Sequence, residues 1–176
     1  MKGSLKFFAT VSVFSMLAIA PMFLSMKPAA AQPQGLEGSY IGVGPSFGLT
    51  NGGQGNDSAI FGGNIQGRIA APQVPVSLRG TVLFTDKNSA VIPTVTYDLP
   101  VAQNTNIYTG VGYSFVQNQT STTPLGNRDS VVLTLGAESE IAKNVVTYGD
   151  VKYGINAYQN SSANALSVQL GLGYRF

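Results

Sequence analysis

The sequence predicts an all-β protein in which eight antiparallel strands close into an up-and-down barrel that crosses a membrane. Apolar and polar residues alternate with a period of two over much of the chain, which is typical of half-buried strands. Only 10% of the 176 residues are charged, against roughly 25% in ordinary soluble domains. The third observation is that the connections are long and polar at one end and short at the other, an asymmetry that bacterial membrane barrels share.

The composition excludes several kinds of chemistry before any motif is considered. The chain contains no cysteine and no histidine. Disulfides, thiolate nucleophiles, the commonest general base and the commonest metal ligand are therefore all missing. Aromatic residues make up 10% of the chain, and with so few charges this composition differs from that of disordered segments. We therefore expect a folded domain whose surface faces something other than water over much of its area.

The N-terminus has the three parts of a secretory signal peptide. Lys2 and Lys6 form a short basic start, and residues 7–24 are an almost uninterrupted apolar run. Ala29 and Ala31 then supply small side chains at the two positions that a signal peptidase reads. These features predict that the chain is exported and that the segment is removed by cleavage.

Cleavage after Ala31 would separate a signal peptide, residues 1–31, from one barrel domain, residues 32–176. The alternative is a retained transmembrane helix, since about 20 apolar residues span a bilayer, but Pro21 interrupts the run. Without the signal the chain carries seven basic and eight acidic side chains, a net charge of −1. The barrel domain therefore has no basic excess, and we predict no nucleic-acid partner.

Seven connections divide the barrel domain into eight strands. They lie at 50–58, 71–75, 86–89, 100–105, 117–128, 142–144 and 156–164. Three of the four connections at one end are long and rich in Asn, Gln, Ser, Thr and Gly, whereas all three at the other end are short. The short connections are expected on the periplasmic side and the long ones at the cell surface.

The strands differ in how clearly they alternate. The first and fourth, 39–49 and 90–99, alternate least cleanly and contain Pro45 and Pro93; a proline removes a ladder hydrogen bond, so we expect a bulge or local distortion at each. The other strands alternate more clearly. The apolar faces of the second, third, fifth, sixth and seventh strands carry, in that order, Phe61, Ile65 and Ile69; Val76, Leu78, Val82 and Phe84; Ile107, Val111, Tyr113 and Phe115; Val131, Leu133, Leu135, Ala137 and Ile141; and Val145, Thr147, Gly149, Val151, Tyr153 and Ile155. The last strand is the clearest, with Leu166, Val168, Leu170, Leu172, Tyr174 and Phe176 all on one face.

The opposite, polar faces are expected to line the barrel interior. Their charges are balanced, four basic against four acidic, which suits an enclosed lumen where each ion needs a partner. The predicted ion-pair network consists of Arg68, Arg79, Asp98, Glu138, Glu140, Asp150, Lys152 and Arg175. The alternative is a soluble ligand-binding barrel with its apolar face inward, which would need a more charged exterior.

Most of these ions are expected toward the periplasmic end, with Asp150 and Lys152 higher in the barrel. The upper half of the polar face consists mainly of Gly, Ser, Thr and Asn. We therefore predict a paired ionic plug toward the periplasm beneath a wetter, less charged vestibule.

No catalytic, cofactor or metal site is predicted. Glu138 and Glu140 face the same side two residues apart, which is compatible with a catalytic carboxylate pair. The interpretation that we favour is that they form ion pairs with Arg79 or Arg175 inside the barrel. The glycine-rich stretch 52–55 lacks the Lys-Ser/Thr of a phosphate-binding loop, so we interpret it as a flexible loop.

The two ends of the barrel domain resemble a known family. The segment from Leu170 to Phe176 is similar to the last strand of bacterial outer-membrane barrels, which ends in Phe after alternating apolar residues. The stretch from Gly38 to Gly44 resembles the first strand of small OmpA/OmpX-type or opacity-type barrels. The resemblance implies an integral outer-membrane protein whose C-terminal strand is recognised by the barrel-assembly machinery. The positions that carry this signal are Leu170, Leu172, Tyr174 and Phe176.

The resemblance also limits the function. The chain ends at the barrel, without the peptidoglycan-binding domain of OmpA, so anchoring to the cell wall is not implied. Two functions remain: a structural protein that displays loops 117–128 and 156–164 to an extracellular ligand, and a narrow porin-like channel for small solutes or ions. We favour the first because eight strands leave little open lumen. The loops are polar, and Tyr158 is their only aromatic residue.

Overall fold

The computed structural model of the protein describes residues 34–52, 60–71 and 73–176. The predicted signal peptide, with Ala29 and Ala31, lies outside the described residues. The described chain forms β1 (Tyr40–Gly48), β2 (Phe61–Ala70), β3 (Val76–Phe84), β4 (Ser89–Ala102), β5 (Thr105–Val116), β6 (Ser130–Ala142), β7 (Val145–Ile155) and β8 (Ala165–Arg175). Each strand pairs antiparallel with its neighbours in the chain, and β1 pairs with β8 to close the barrel. The predicted fold class is confirmed.

The connections differ in length between the two ends of the barrel. One end, here called the short-turn end, carries the connections 71–75, 103–104 and 143–144. The other, the long-loop end, carries the connections 49–60, 85–88, 117–129 and 156–164. Among the described residues we find no helix with the length and hydropathy of a membrane span.

The large apolar side chains of the strands lie mainly on the outside of the barrel. On β8, Leu170 and Leu172 expose 52% and 56% of their surface, whereas Gln169 on the opposite face of the same strand is fully buried in the lumen. Phe61 at the long-loop end and Tyr174 at the short-turn end are also exposed, as expected for aromatic belts at the two lipid–water boundaries. The exterior is therefore built to contact lipid.

Of the bulge or local distortion predicted at Pro45 and Pro93, the structure shows a local interruption of the ladder and no bulge, because the strand register does not shift at either residue. Each proline instead interrupts the ladder toward one neighbour, β8 for Pro45 and β5 for Pro93. The missing N–H of Pro45 is replaced by a side chain: Nδ2 of Asn64 donates to the carbonyl oxygen of Leu170 at 3.1 Å. The Asn64 side chain thus supplies the donor that Pro45 lacks, and the register continues unchanged.

The short connection predicted at 100–105 is present but shorter, residues 103–104, since β4 extends to Ala102 and β5 begins at Thr105. Pro100 is tolerated there because of the direction of its nitrogen. The N–H of Asp98 points toward β3, where it donates to the carbonyl oxygen of Pro75 at 2.8 Å. The nitrogen of Pro100 points the same way but lies beyond the end of β3, so no ladder bond is lost.

Two of the short turns share one construction. Asn104 and Asn144 have positive φ angles of 58° and 62°, and the strand register shifts just before each turn. Asn is one of the few residues other than Gly that enters this left-handed region readily. The two Asn residues therefore fix where these hairpins turn.

Replacing Asn144 with Ala is expected to lower the free energy of unfolding by about 1 kcal/mol, because Ala is strained at positive φ. Asn144→Gly should be close to neutral, since Gly adopts this conformation freely. Urea titration of the barrel in lipid vesicles measures both variants, with Lys143→Ala in the same turn as the control. An equal loss for Asn144→Ala and Lys143→Ala would contradict the assigned role of Asn144.

Candidate functional site

The most highly organised part of the lumen is a group of four ions, here called the ionic cluster: Arg68, Arg79, Asp98 and Glu138. Each arginine contacts both carboxylates. Nη2 of Arg68 lies 2.8 Å from Oδ2 of Asp98 and its Nη1 lies 3.1 Å from Oε1 of Glu138. Nη2 of Arg79 lies 3.0 Å from Oδ1 of Asp98, and its Nη1 lies 2.8 Å from Oε2 of Glu138. All four side chains are buried.

The strand register explains why these residues meet. Arg68 on β2 lies directly opposite Arg79 on β3, a placement of like charges that is unfavourable by itself. Asp98 from β4 and Glu138 from β6 reach the two guanidinium groups across the narrow lumen. Two positive and two negative charges thus form a closed, neutral unit.

Polar neighbours complete the hydrogen bonding of the ionic cluster. The Tyr40 hydroxyl donates to Oε2 of Glu138 at 3.0 Å, and Nε of Arg79 donates to Oγ1 of Thr96 at 3.1 Å. The Ser77 hydroxyl donates to Oδ2 of Asp98. Buried charges are stable only when paired and hydrogen-bonded in this way. The cluster consequently places four mutually paired, buried charges across the lumen.

A second ion pair lies closer to the long-loop end. Nζ of Lys152 is 3.0 Å from Oδ1 of Asp150, and the Tyr108 hydroxyl donates to Oδ2 of Asp150 at 2.9 Å. The guanidinium carbon of Arg79 lies 3.6 Å from the centre of the Tyr108 ring, so a cation–π contact joins this pair to the ionic cluster.

The remaining two predicted ions lie apart from the others. Nη2 of Arg175 is 2.9 Å from Oε1 of Glu140, and 26% of the Arg175 side chain is exposed. The eight predicted residues therefore form three groups: the ionic cluster, the pair Asp150–Lys152, and this outer pair at the short-turn end. Glu138 and Glu140 do not act together as a carboxylate pair, since each binds different arginines.

The upper part of the lumen is not lined mainly by Gly, Ser, Thr and Asn as predicted, because apolar side chains fill it at the long-loop end. Leu125, Ala157 and Tyr158 from the two long loops fold inward and are buried. They belong to one cluster, here called the lid, with Leu83, Ile92, Val132 and Ala165 from the strands. The Tyr158 hydroxyl donates to the carbonyl oxygen of Thr50 at 2.8 Å. Burial of this apolar surface favours the closed position of both loops.

The lid includes residues that sequence reasoning missed. Leu83, Ile92 and Val132 lie on the luminal face, which the alternation treats as polar. A signal was present in the sequence, since Leu83 and Val132 each stand in a run of three apolar residues, 82–84 and 131–133. A strand that is apolar on both faces at one level must keep both faces from water: here the outer face contacts lipid and the inner face packs in the lid.

Between the ionic cluster and the lid, the lumen is polar but poorly paired. Four side chains there are buried and have polar atoms without a hydrogen-bond partner among the described residues: Thr94, Thr134, Ser167 and Gln169. Thr134 and Ser167 lie opposite Lys152 in the sheet. This section is therefore distinct from the tightly paired cluster below it.

Comparison with known proteins identifies the family. The sequence profile of the outer membrane protein beta-barrel domain matches residues 16–176. The chain belongs to this family. A comparison with curated protein sequences found no match.

Solved structures resemble the barrel at low sequence identity. Neisserial surface protein A (NspA) has a TM-score of 0.57 and 13% identity, covering 80% of this chain and 98% of that chain. The attachment invasion locus protein Ail of Yersinia pestis, solved with the heparin analogue sucrose octasulfate, has a TM-score of 0.49 and 17% identity, covering 80% of this chain and 100% of that chain. The likeness to NspA supports the fold.

Membership of the outer membrane protein beta-barrel domain family gives the barrel its location and orientation. The protein is integral to the outer membrane, and its exposed apolar side chains contact lipid. Barrels of this membrane have short turns in the periplasm and longer loops outside. The lid therefore faces the cell exterior, and the outer pair Glu140–Arg175 faces the periplasm.

Proposed function

We propose that the protein is a structural component of the cell envelope that displays loops 117–128 and 156–164 on a closed barrel. The observation that carries this proposal is the ionic cluster, whose four buried salt bridges cross the lumen. A solute passing through would have to separate these charges, and breaking a buried pair costs about 3–5 kcal/mol. The lid adds a second, apolar barrier.

Only part of loops 117–128 and 156–164 is exposed on the surface of the barrel. In loop 117–128 residues 117–120 are exposed, whereas residues 123–126 are buried. Nδ2 of Asn88 donates to the carbonyl oxygen of Asn118 at 2.6 Å and also to that of Ser121. The exposed part is thus held in place from below. An extracellular ligand would meet polar side chains there, because Tyr158 belongs to the lid.

The residues at the two ends of the chain support a proposal for export and assembly. We propose that residues 1–31 are the cleaved signal and that residues 32–176 form the one barrel domain. The C-terminal positions Leu170, Leu172 and Tyr174 all face outward, where the barrel-assembly machinery can bind them before lipid does. Phe176 would complete this signal. The proposal includes no enzymatic activity, cofactor or nucleic-acid partner.

A narrow porin-like channel is the second candidate. The polar section around Lys152 favours it, because its buried hydroxyl groups have no hydrogen-bond partner in the part of the chain that the structure describes and could solvate an ion. Such a channel would need both the ionic cluster and the lid to rearrange.

The refolded mature chain is expected to be electrically silent in a planar bilayer. Folding is verified beforehand by heat-dependent gel mobility, and single-channel recording then measures conductance over a range of voltages. Discrete conductance steps from the folded barrel would contradict the closed structure and favour the channel. Tyr158→Ala, which loosens only the lid, should also be silent because the ionic cluster still blocks the lumen.

A further inference from the structure

The segment Gln34–Glu37, here called the strap, lies at the periplasmic mouth of the barrel. Leu36 is 3% exposed and packs in one cluster with Tyr40, Val146 and Tyr148. Gly35 is buried beside it, whereas Gln34 and Glu37 at the two ends of the segment are exposed. The strap thus inserts a single apolar side chain into the lumen beneath the ionic cluster.

Luminal side chains hold the backbone of the strap. The Leu36 N–H donates to Oδ1 of Asn106 at 3.1 Å, and Nδ2 of Asn106 donates back to the Leu36 carbonyl oxygen at 3.0 Å. Nη1 of Arg68 donates to the same carbonyl oxygen at 3.1 Å. An unpaired backbone group in this position would be costly, so Asn106 and Arg68 make the insertion possible.

The strap and the ionic cluster share donors. Nη1 of Arg68 and Nδ2 of Asn106, which both bind the Leu36 carbonyl oxygen, also lie 3.1 Å and 3.2 Å from Oε1 of Glu138. The Leu36 carbonyl therefore completes the surroundings of the cluster on its periplasmic side. Without the strap, water would have to take its place.

The strap stands outside the strand ladder of the barrel. Its direct backbone bond to the barrel runs from the Asn104 N–H, in a turn, to the Gln34 carbonyl oxygen at 2.9 Å. Gly38, with a φ of +83°, separates the strap from β1. A residue at this φ is favourable only as Gly or, less often, Asn, so the chain turns out of the strand at Gly38.

We propose that the strap is a removable periplasmic closure of the barrel. In place, it shields Val146 and the ionic cluster from periplasmic water. Released about Gly38, it would expose them while the eight strands keep their register. This inference concerns the periplasmic mouth alone and goes beyond the proposed display of the extracellular loops.

Gly35→Val provides a way to expel the strap. A side chain at Gly35 would overlap Oδ1 of Asn106 and lie 2.9 Å from Cβ of Pro100, so Val cannot fit while the strap is inserted. Glu37→Val is the matched control, because it places the same side chain at an exposed position of the same segment.

The test uses the absence of native cysteine. Val146→Cys places a single thiol at a fully buried position beside Leu36, and a charged, membrane-impermeant methanethiosulfonate reagent labels it in the folded barrel. Labelling should be slow with the native strap and with Glu37→Val. With Gly35→Val it should be about tenfold faster or more, which corresponds to about 1.4 kcal/mol in the closed-to-open equilibrium.

Two outcomes would overturn the inference. Rapid labelling of Val146→Cys behind the native strap would mean that the strap does not seal the mouth. Continued protection in the Gly35→Val background would mean that the barrel closes itself. Lys143→Cys, on an exposed turn, reports reagent activity, and heat-dependent gel mobility reports folding. If Gly35→Val does not fold, Leu36→Gly removes the inserted side chain and should give the same acceleration.

Discussion

Replacing Glu138 with Gln is expected to lower the free energy of unfolding by about 3–5 kcal/mol, the range for breaking a buried ion pair from one side. The Glu138 side chain is completely buried, and its two oxygens contact Arg68 and Arg79. The substitution leaves both arginines with Asp98 as their one carboxylate. Since Glu and Gln side chains have nearly the same volume, the loss in free energy of unfolding measures the missing negative charge rather than altered packing.

The same strand offers a control of identical chemistry. Glu140→Gln removes the charge that faces Arg175, whose side chain is 26% exposed. Partly exposed pairs contribute about 0–1 kcal/mol, so this variant should be nearly as stable as the native barrel. Urea titration in lipid vesicles compares the two. Equal losses at the two positions would show that the ionic cluster is not what stabilises the lumen.

A double variant separates charge imbalance from lost contacts. Arg79→Met combined with Glu138→Leu removes one charge of each sign, and such neutral replacements of a buried pair are often tolerated. We expect the double variant to be less destabilised than the sum of its two single variants. Additive losses would contradict direct coupling between Arg79 and Glu138.

Much of the fold follows from the alternation of residue types, because a period of two fixes which face each side chain occupies. The last strand illustrates this: Leu170 and Leu172 face outward as predicted, and Gln169 faces inward. The alternation does not fix how far each strand slides past the next. From the sequence, Arg79 and Arg175 were therefore both possible partners of Glu138 and Glu140. The register places Arg79 beside Glu138 and Arg175 beside Glu140.

The lid and the strap depend on contacts that alternation cannot encode. Leu125 and Tyr158 stand in polar loops, and their burial requires luminal apolar residues from distant strands. Leu36 stands before the first strand, where no period exists, and its place depends on the side chain of Asn106. Both closures arise from tertiary packing at the ends of the barrel.

Leu170→Arg is expected to lower the free energy of unfolding by about 2–4 kcal/mol, because a charge on the lipid face near the bilayer midplane has no favourable partner. Leu170 lies in the middle of β8 and exposes 52% of its surface. Ile141→Arg is the matched control: Ile141 is 61% exposed but lies next to a periplasmic turn, where the expected cost falls to about 0–1 kcal/mol. Unfolding in lipid vesicles measures both variants.

A third substitution tests the other side of the same strand. Gln169→Arg places the charge in the lumen, directly opposite Asp150, so it should be milder than Leu170→Arg despite the more crowded site. Position 170 then reports the lipid environment, and position 169 reports the lumen beside the Asp150 carboxylate. Equal tolerance of Leu170→Arg and Ile141→Arg would mean that Leu170 does not meet the membrane core, and the assignment of the apolar face to lipid would be wrong.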